Sequence, residues 1–243
     1  TIDDNPHYKG FWSSISKHFK QRLGFEPVLY VIADEEKTIN SYDDSNGEVR
    51  FFKKLKNIPP IIQALIGKFY FTKFEPETIW LIGDLDLYPL QHYHFKNRIE
   101  EIENNKYVHL NPFAYGKNWR DSNHGLAGYF HVAKGKVFES ELKFENKTFL
   151  DVCLEIYNSE KYGIKFYGYG ARQESKKASN DWGWFCCEEM YTGNLLKNSQ
   201  NLIELEPINQ MYLRVDKSNL YYDEKILKSG QYIDFHAPRP YEN

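Results

Sequence analysis

The sequence predicts an α/β protein with a mixed, mostly parallel central sheet flanked by helices. Short apolar, β-rich runs alternate with amphipathic stretches through roughly the first 90 residues, the pattern of an α/β nucleotide-binding layer. Two of those runs stop at an aspartate, as buried strands do when they reach the edge of a sheet. No internal repeat and no linker rich in Gly, Ser or Pro divides the 243 residues, so one domain over 1–243 is expected, with 1–90 as one functional half and 91–243 as the other.

The elements follow in order. Ile2, Asp3, Asp4, Asn5 and Pro6 read as a strand end running into a turn, because Asp, Asn and Pro favour turn initiation. From Tyr8 to Leu23 the residues Phe11, Trp12, Ile15, Phe19 and Leu23 recur at helical spacing, and Gly24 supplies a C-cap. Pro27 to Ala33 is a buried strand that stops at Asp34, which completes a strand-end, helix, strand unit and implies parallel pairing. Val49 to Leu55 is a second strand. Ile61 to Phe74 is helical by its spacing, opened by Pro59 and Pro60. Thr78 to Gly83 is another buried strand, and it runs straight into Asp84, Leu85 and Asp86.

The second half is less regular. It contains a short charged helix at Phe95–Asn104, strands at Tyr107–Leu110 and Tyr129–Ala133, and an amphipathic helix at Thr148–Tyr157. A helix opened by aromatics follows at Asp181–Leu196, then short strands at Met211–Val215 and Tyr232–Phe235.

Composition narrows the function classes. With 31 basic and 34 acidic residues the chain lacks the basic excess of a nucleic-acid binder. Phe, Tyr and Trp make up 17% of the chain, which argues for a packed core rather than disorder. Three cysteines, two of them adjacent at Cys186 and Cys187, form neither a disulfide framework nor a CxxC zinc pair, so a reducing, cytoplasmic and soluble setting is expected. No stretch reaches the ~18 apolar residues of a membrane span. Both the GxGxxG fingerprint and the GxxxxGK[ST] phosphate loop are absent, which disfavours dinucleotide and ATP-hydrolysing readings. A nucleotidyltransferase is disfavoured because Asp3–His7 lacks a Gly-rich basic loop.

Asp84-Leu85-Asp86 carries the most weight. It follows an apolar strand, and ligands of open α/β sheets bind beyond the carboxyl ends of strands. In extended backbone, residues i and i+2 project to one side, so both carboxylates would converge on one hard divalent cation. Such a cation neutralises the charge that grows on a departing diphosphate.

The segment Ile79-Trp-Leu-Ile-Gly-Asp-Leu-Asp-Leu-Tyr-Pro-Leu90 resembles the Asp-x-Asp region of nucleotide-sugar-dependent glycosyltransferases with the GT-A fold. Asp3–Tyr8 with the helix after it and Phe25–Asp34 is similar to the N-terminal unit of sugar transferases found in bacteria and large DNA viruses. The resemblance implies a single-domain GT-A (Rossmann-like) fold and a metal-dependent transfer of sugar from a nucleotide-diphosphate donor, a UDP- or GDP-sugar, to a glycan or other hydroxyl acceptor. A catalytically silent carbohydrate- or nucleotide-binding module of the same fold is the alternative. Carried over, Asp3, Asp4 and Asp34 become donor-site residues, Lys68 takes a place where a basic residue is found, and Gly128 lies in the small-residue segment Gly125–Phe130 against the donor sugar. His236 resembles the C-terminal histidine that joins Asp84 and Asp86 on the metal, a donor set suited to Mn²⁺ (or Mg²⁺), and Arg239 would pair with phosphate.

The segment Asp181–Thr192 resembles the acidic motif that opens a late helix in these enzymes. Glu189 is then the first candidate for the carboxylate that faces the reacting carbon, with Glu188 holding sugar hydroxyls and Asp181 as a third candidate. An acidic first turn is also what the helix macrodipole favours. Trp182, Trp184 and Phe185 beside these acids suit sugar stacking, although aromatics at such spacing more often pack into a core.

Overall fold

Apolar strands and helices bury their side chains against one another, and in the computed structural model the described residues form three aromatic-bearing core clusters. The structure describes residues 1–3, 6–100, 103–112, 126–159, 184, 187–205, 212–216 and 224–237. Ten strands lie among them: β1 (Ile2–Asp3), β2 (Val28–Ala33), β3 (Glu48–Lys53), β4 (Ile79–Ile82), β5 (Leu87–Pro89), β6 (Tyr107–His109), β7 (His131–Lys134), β8 (Leu202–Glu204), β9 (Tyr212–Asp216) and β10 (Tyr232–His236).

The class is α/β, as the alternation predicts. The strands, however, form three small sheets rather than one central sheet, in the orders β1-β2-β3, β4-β7-β6-β8 and β5-β10-β9. The first is wholly parallel, with Ile2 opposite Val31 and Asp3 opposite Ile32. In the second, β7 is antiparallel to both β4 and β6, whereas β6 and β8 are parallel. The third pairs β10 antiparallel to β5 and parallel to β9. Strand β1 pairs with β2 over two residues.

The first helical region is broken into Pro6–Lys9 and Phe11–His18, then widens into a π-turn over Phe19–Leu23. It ends at Gly24 with φ 69°, a left-handed position that glycine adopts without penalty. The helix Pro60–Tyr70 starts behind Pro59 and Pro60 as expected, and buries Ile62, Ile66, Phe69 and Tyr70. The helix Phe149–Tyr157 has a capping box, in which the Thr148 hydroxyl accepts from Asp151 N–H and the Asp151 carboxylate accepts from Thr148 N–H. Just after the helix Pro60–Tyr70, Phe71 joins sheet and helices through ring contacts: it stacks on Tyr30 at 4.5 Å and meets Phe52 at 4.6 Å and Phe149 at 5.0 Å in tilted pairs, centroid to centroid. Trp184, one of the aromatics that suit sugar stacking, packs against Tyr157 at 5.7 Å and joins this core.

Helix Gly135–Glu141 and strands β5 and β8 were not expected from the sequence. Among the described residues, no helix is long and apolar enough to cross a membrane. Cys153 and Cys187 are buried free thiols, and burial pushes the Cys153 thiol up to about 12. Cys186 lies outside the described residues.

Candidate functional site

The carboxyl ends of β1, β2 and β4 carry the first group of candidate residues. Asp3 closes β1, and Asp34 follows β2 directly, exposed, with its backbone carbonyl accepting from Lys53 Nζ. After β4 the chain turns: Leu87 N–H donates to Asp84 C=O at 3.2 Å, so Leu85 and Asp86 lie in a turn. The expectation that Asp84 and Asp86 sit on extended backbone is therefore corrected, because this hydrogen bond tightens the segment before β5 begins.

The two carboxylates have different neighbours. Asp84 Oδ1 accepts from Lys68 Nζ at 2.7 Å, and the same ammonium lies 3.4 Å from Glu188 Oε1. Lys68 projects from the helix Pro60–Tyr70 and Glu188 from the first turn of the helix Cys187–Leu196, so two helices bring together residues 120 positions apart. Asp86 instead meets His236, with Oδ2 and Nε2 3.2 Å apart. That contact follows from the register of β5 and β10, in which Leu87 faces His236 and Ala237 N–H donates to Asp86 C=O at 2.8 Å.

Gly128 joins the glutamates. Its N–H donates to Glu189 Oε1 at 3.1 Å, and a Cβ built on it would stand 2.5 Å from Glu188 Oε1. Leu126 N–H donates to Glu189 C=O at 3.1 Å, which holds the segment against the helix start. A glycine is required here by close approach, since any side chain would enter the space of the Glu188 carboxylate.

Electrostatics separate the members. Burial alone would lower the Lys68 ammonium, but the carboxylates of Asp84 and Glu188, with Glu189 behind them, hold it above the ordinary lysine value. Burial raises the Glu188 carboxyl; Lys68 offsets part of that rise and Asp84 adds to it. Glu188 Oε2 is buried with no hydrogen-bond partner among the described residues. An elevated carboxyl with one uncommitted oxygen has the properties of a proton acceptor.

Lys68, Asp84, Glu188, Glu189 and Gly128 thus form one cluster, and Asp86 with His236 forms a pair beside it on the same turn. Among the described residues no group of three His, Cys, Asp or Glu side chains is arranged to hold a metal ion. Asp4, Asp181 and Arg239 lie outside the described residues, as do His124, Gly125, Trp182 and Phe185.

Sequence reasoning missed the buried support of this site. Asn111 Nδ2 donates to Asp234 Oδ2 at 3.0 Å, both side chains fully buried. Asp234 is two residues before His236, on the same face of β10, so this hydrogen bond anchors the strand that delivers the histidine. The only signal was an acid in an apolar strand, Tyr232-Ile-Asp-Phe-His236. Comparison with protein-family models and with curated proteins finds no match to this chain.

Proposed function

We propose that the chain is a GT-A-type glycosyltransferase, a single domain over residues 1–243 that moves a sugar from a nucleotide-diphosphate donor to a hydroxyl acceptor with the help of Mn²⁺ or Mg²⁺. The observation that carries this reading is the convergence of the Asp84 and Glu188 carboxylates on Lys68, at 2.7 and 3.4 Å. It links the segment after β4 to the late acidic helix. On this reading the nucleotide base and ribose would lie beyond β1 and β2, near Asp3 and Asp34, because open α/β sheets take ligands at strand ends.

Asp86 and His236, with a carboxylate oxygen and an imidazole nitrogen 3.2 Å apart, are the residues that would hold a Mn²⁺ ion. Bound there, the ion supplies neutralisation of charge on the departing diphosphate. Lys68 adds a fixed positive charge on the Asp84 side. We assign the proton-accepting role to Glu188 rather than Glu189, because Glu189 Oε1 is committed to Gly128 N–H. In an inverting transfer, the acceptor oxygen bonds to the anomeric carbon as the bond from that carbon to the diphosphate oxygen breaks. The hydroxyl proton passes to Glu188.

The test is a thermal-shift series with UDP, GDP and their sugars, with and without Mn²⁺, followed by donor hydrolysis. A ligand at 100 times its Kd stabilises by about 2.7 kcal/mol, and Asp86→Ala should remove the Mn²⁺-dependent part. Absence of any nucleotide effect in either metal overturns the reading. One observation favours the silent binding module: Asp84 is already ion-paired by Lys68 at 2.7 Å. Nucleotide binding without hydrolysis or transfer would decide for it.

A further inference from the structure

The peptide group that joins Ala127 to Gly128 is held at both ends. Its N–H donates to Glu189 Oε1 at 3.1 Å, and its C=O lies 2.6 Å from His131 Nε2. A carbonyl oxygen only accepts, so Nε2 carries the proton and Nδ1 is left as an acceptor. The Tyr107 hydroxyl, 3.0 Å from Nδ1, donates to it, and burial keeps that phenol protonated. His109 stacks on His131 with ring centroids 4.4 Å apart, and Phe69 meets the imidazole edge-on at 5.1 Å. Burial, the neighbouring imidazole and the Lys68 ammonium all oppose a second proton on His131, so the ring stays neutral in this one tautomer.

The backbone around the ring is pinned as well. His131 opens β7, between Ile82 of β4 and His109 of β6, and is fully buried. Phe130 just before it takes φ 58°, a left-handed value rare for a bulky residue. Its N–H donates to Ile82 C=O at 2.6 Å and its C=O accepts from Leu110 N–H at 2.9 Å. At this bend the His131 side chain meets the carbonyl four residues earlier. We propose that His131 is a positioning residue: by fixing the Ala127–Gly128 peptide it aims the Gly128 N–H at Glu189 and holds the Gly128 Cα against Glu188. The C=O and N–H of a planar trans peptide point in opposite directions, so fixing one end orients the other. A donor on the carbonyl also polarises the N–H at the far end. Without the imidazole, rotation of this peptide would turn the Ala127 carbonyl toward the Glu189 carboxylate, two acceptors face to face. The effect on turnover rests on the sugar-transfer reading, whereas the hydrogen-bond chain from Tyr107 to Glu189 does not.

The test uses the unmodified chain and two variants, His131→Gln, whose amide keeps a donor in place of Nε2, and His131→Leu, which keeps bulk and loses the donor. The Leu variant should speed hydrogen exchange at the Gly128 amide by at least about tenfold relative to Val132 and Ala133 on β7, and the Gln variant should restore most of the protection. Donor hydrolysis should follow the same order, with kcat at least about tenfold lower in the Leu variant and KM within about twofold. Unchanged Gly128 exchange in the Leu variant overturns the proposal, and so does acceleration spread equally along β7, the mark of a merely structural role. A measurement on the unmodified chain needs no variant to fold: the ¹⁵N spectrum of His131 should show a protonated Nε2 and a bare Nδ1, and the opposite tautomer overturns the proposal. Absence of donor hydrolysis in the unmodified chain counts against sugar transfer alone, because exchange at Gly128 decides this inference either way.

Discussion

His236 Nε2 lies 3.2 Å from Asp86 Oδ2, across 150 residues of chain, because β10 pairs antiparallel with β5. The strand register therefore sets the geometry of the proposed metal pair. His236→Ala should weaken Mn²⁺ activation by roughly 10-fold or more while leaving the fold intact. A Mn²⁺ titration of donor hydrolysis, read beside a denaturation curve, checks it. An unchanged Mn²⁺ requirement removes His236 from the metal site.

Gly128 leaves no room for a side chain. In Gly128→Ala the new Cβ meets Glu188 Oε1 at 2.5 Å and Cγ at 3.0 Å, so the carboxylate must move. Overpacking of this kind costs about 1–3 kcal/mol, and the loss in kcat should exceed what that destabilisation accounts for. Steady-state kinetics well below Tm separates the two effects. A variant with native kcat would show that the position of Glu188 is unimportant to turnover.

Lys68 and Glu188 are both almost entirely buried, at 6% side-chain exposure each. Lys68→Met leaves Glu188 facing Asp84 with no counter-charge, and breaking a buried pair from one side costs about 3–5 kcal/mol. The double variant Lys68→Met with Glu188→Gln should recover most of that loss. Urea midpoints of the four proteins in the cycle give the coupling, and additive effects would refute it.

Two buried histidines make stability depend on pH. Burial lowers the His94 imidazole from 6.5 to about 4, with Leu110 C=O opposing and Arg98 assisting. His131 is depressed in the same direction by burial and by His109. The unfolded chain takes up these protons near pH 6.5 while the folded chain resists until well below it. Stability is therefore full above about pH 6.5 and falls on acidification toward pH 4, by up to about 3 kcal/mol for His94 alone. Chemical denaturation from pH 7.5 to 4.5 checks the slope, which His94→Asn should reduce.

The proposed role of Glu188 as proton acceptor carries a pH dependence. With its carboxyl raised by burial, the acidic limb of kcat should lie above the ordinary carboxylate range, because the proton acceptor must be ionised to work. Exposing the group by Gly128→Ala should move that limb toward lower pH. A limb at the value of a free glutamate would assign the proton to another residue.

Much of the scaffold was legible because it is written in local pattern. The helix behind Pro59 and Pro60, the strand Val28–Ala33 and the Thr148 cap each follow from spacing or from one capping residue. Strand β5 was not legible, since its partner β10 is far along the chain, with the paired residues Tyr88 and Phe235 147 positions apart, and Pro89 breaks the strand signature. Of the candidate site, Lys68, Asp84, Glu188, Glu189 and Gly128 do come together. The turn that separates the neighbours of Asp84 from those of Asp86 depends on a backbone hydrogen bond that no residue type announces. Asn111 and Asp234 were invisible for a similar reason: a buried amide–carboxylate pair is defined by its partner, not by its neighbours in sequence.

The clasp between β5 and β10 also orders events during synthesis. Asp86 emerges from the ribosome long before His236, while β2, β3 and β4 already have much of what they need to pair. A nascent chain that has not yet produced Tyr232–His236 holds an acidic turn with no imidazole to meet it. Any chemistry that depends on this pair therefore waits for β10 to be made.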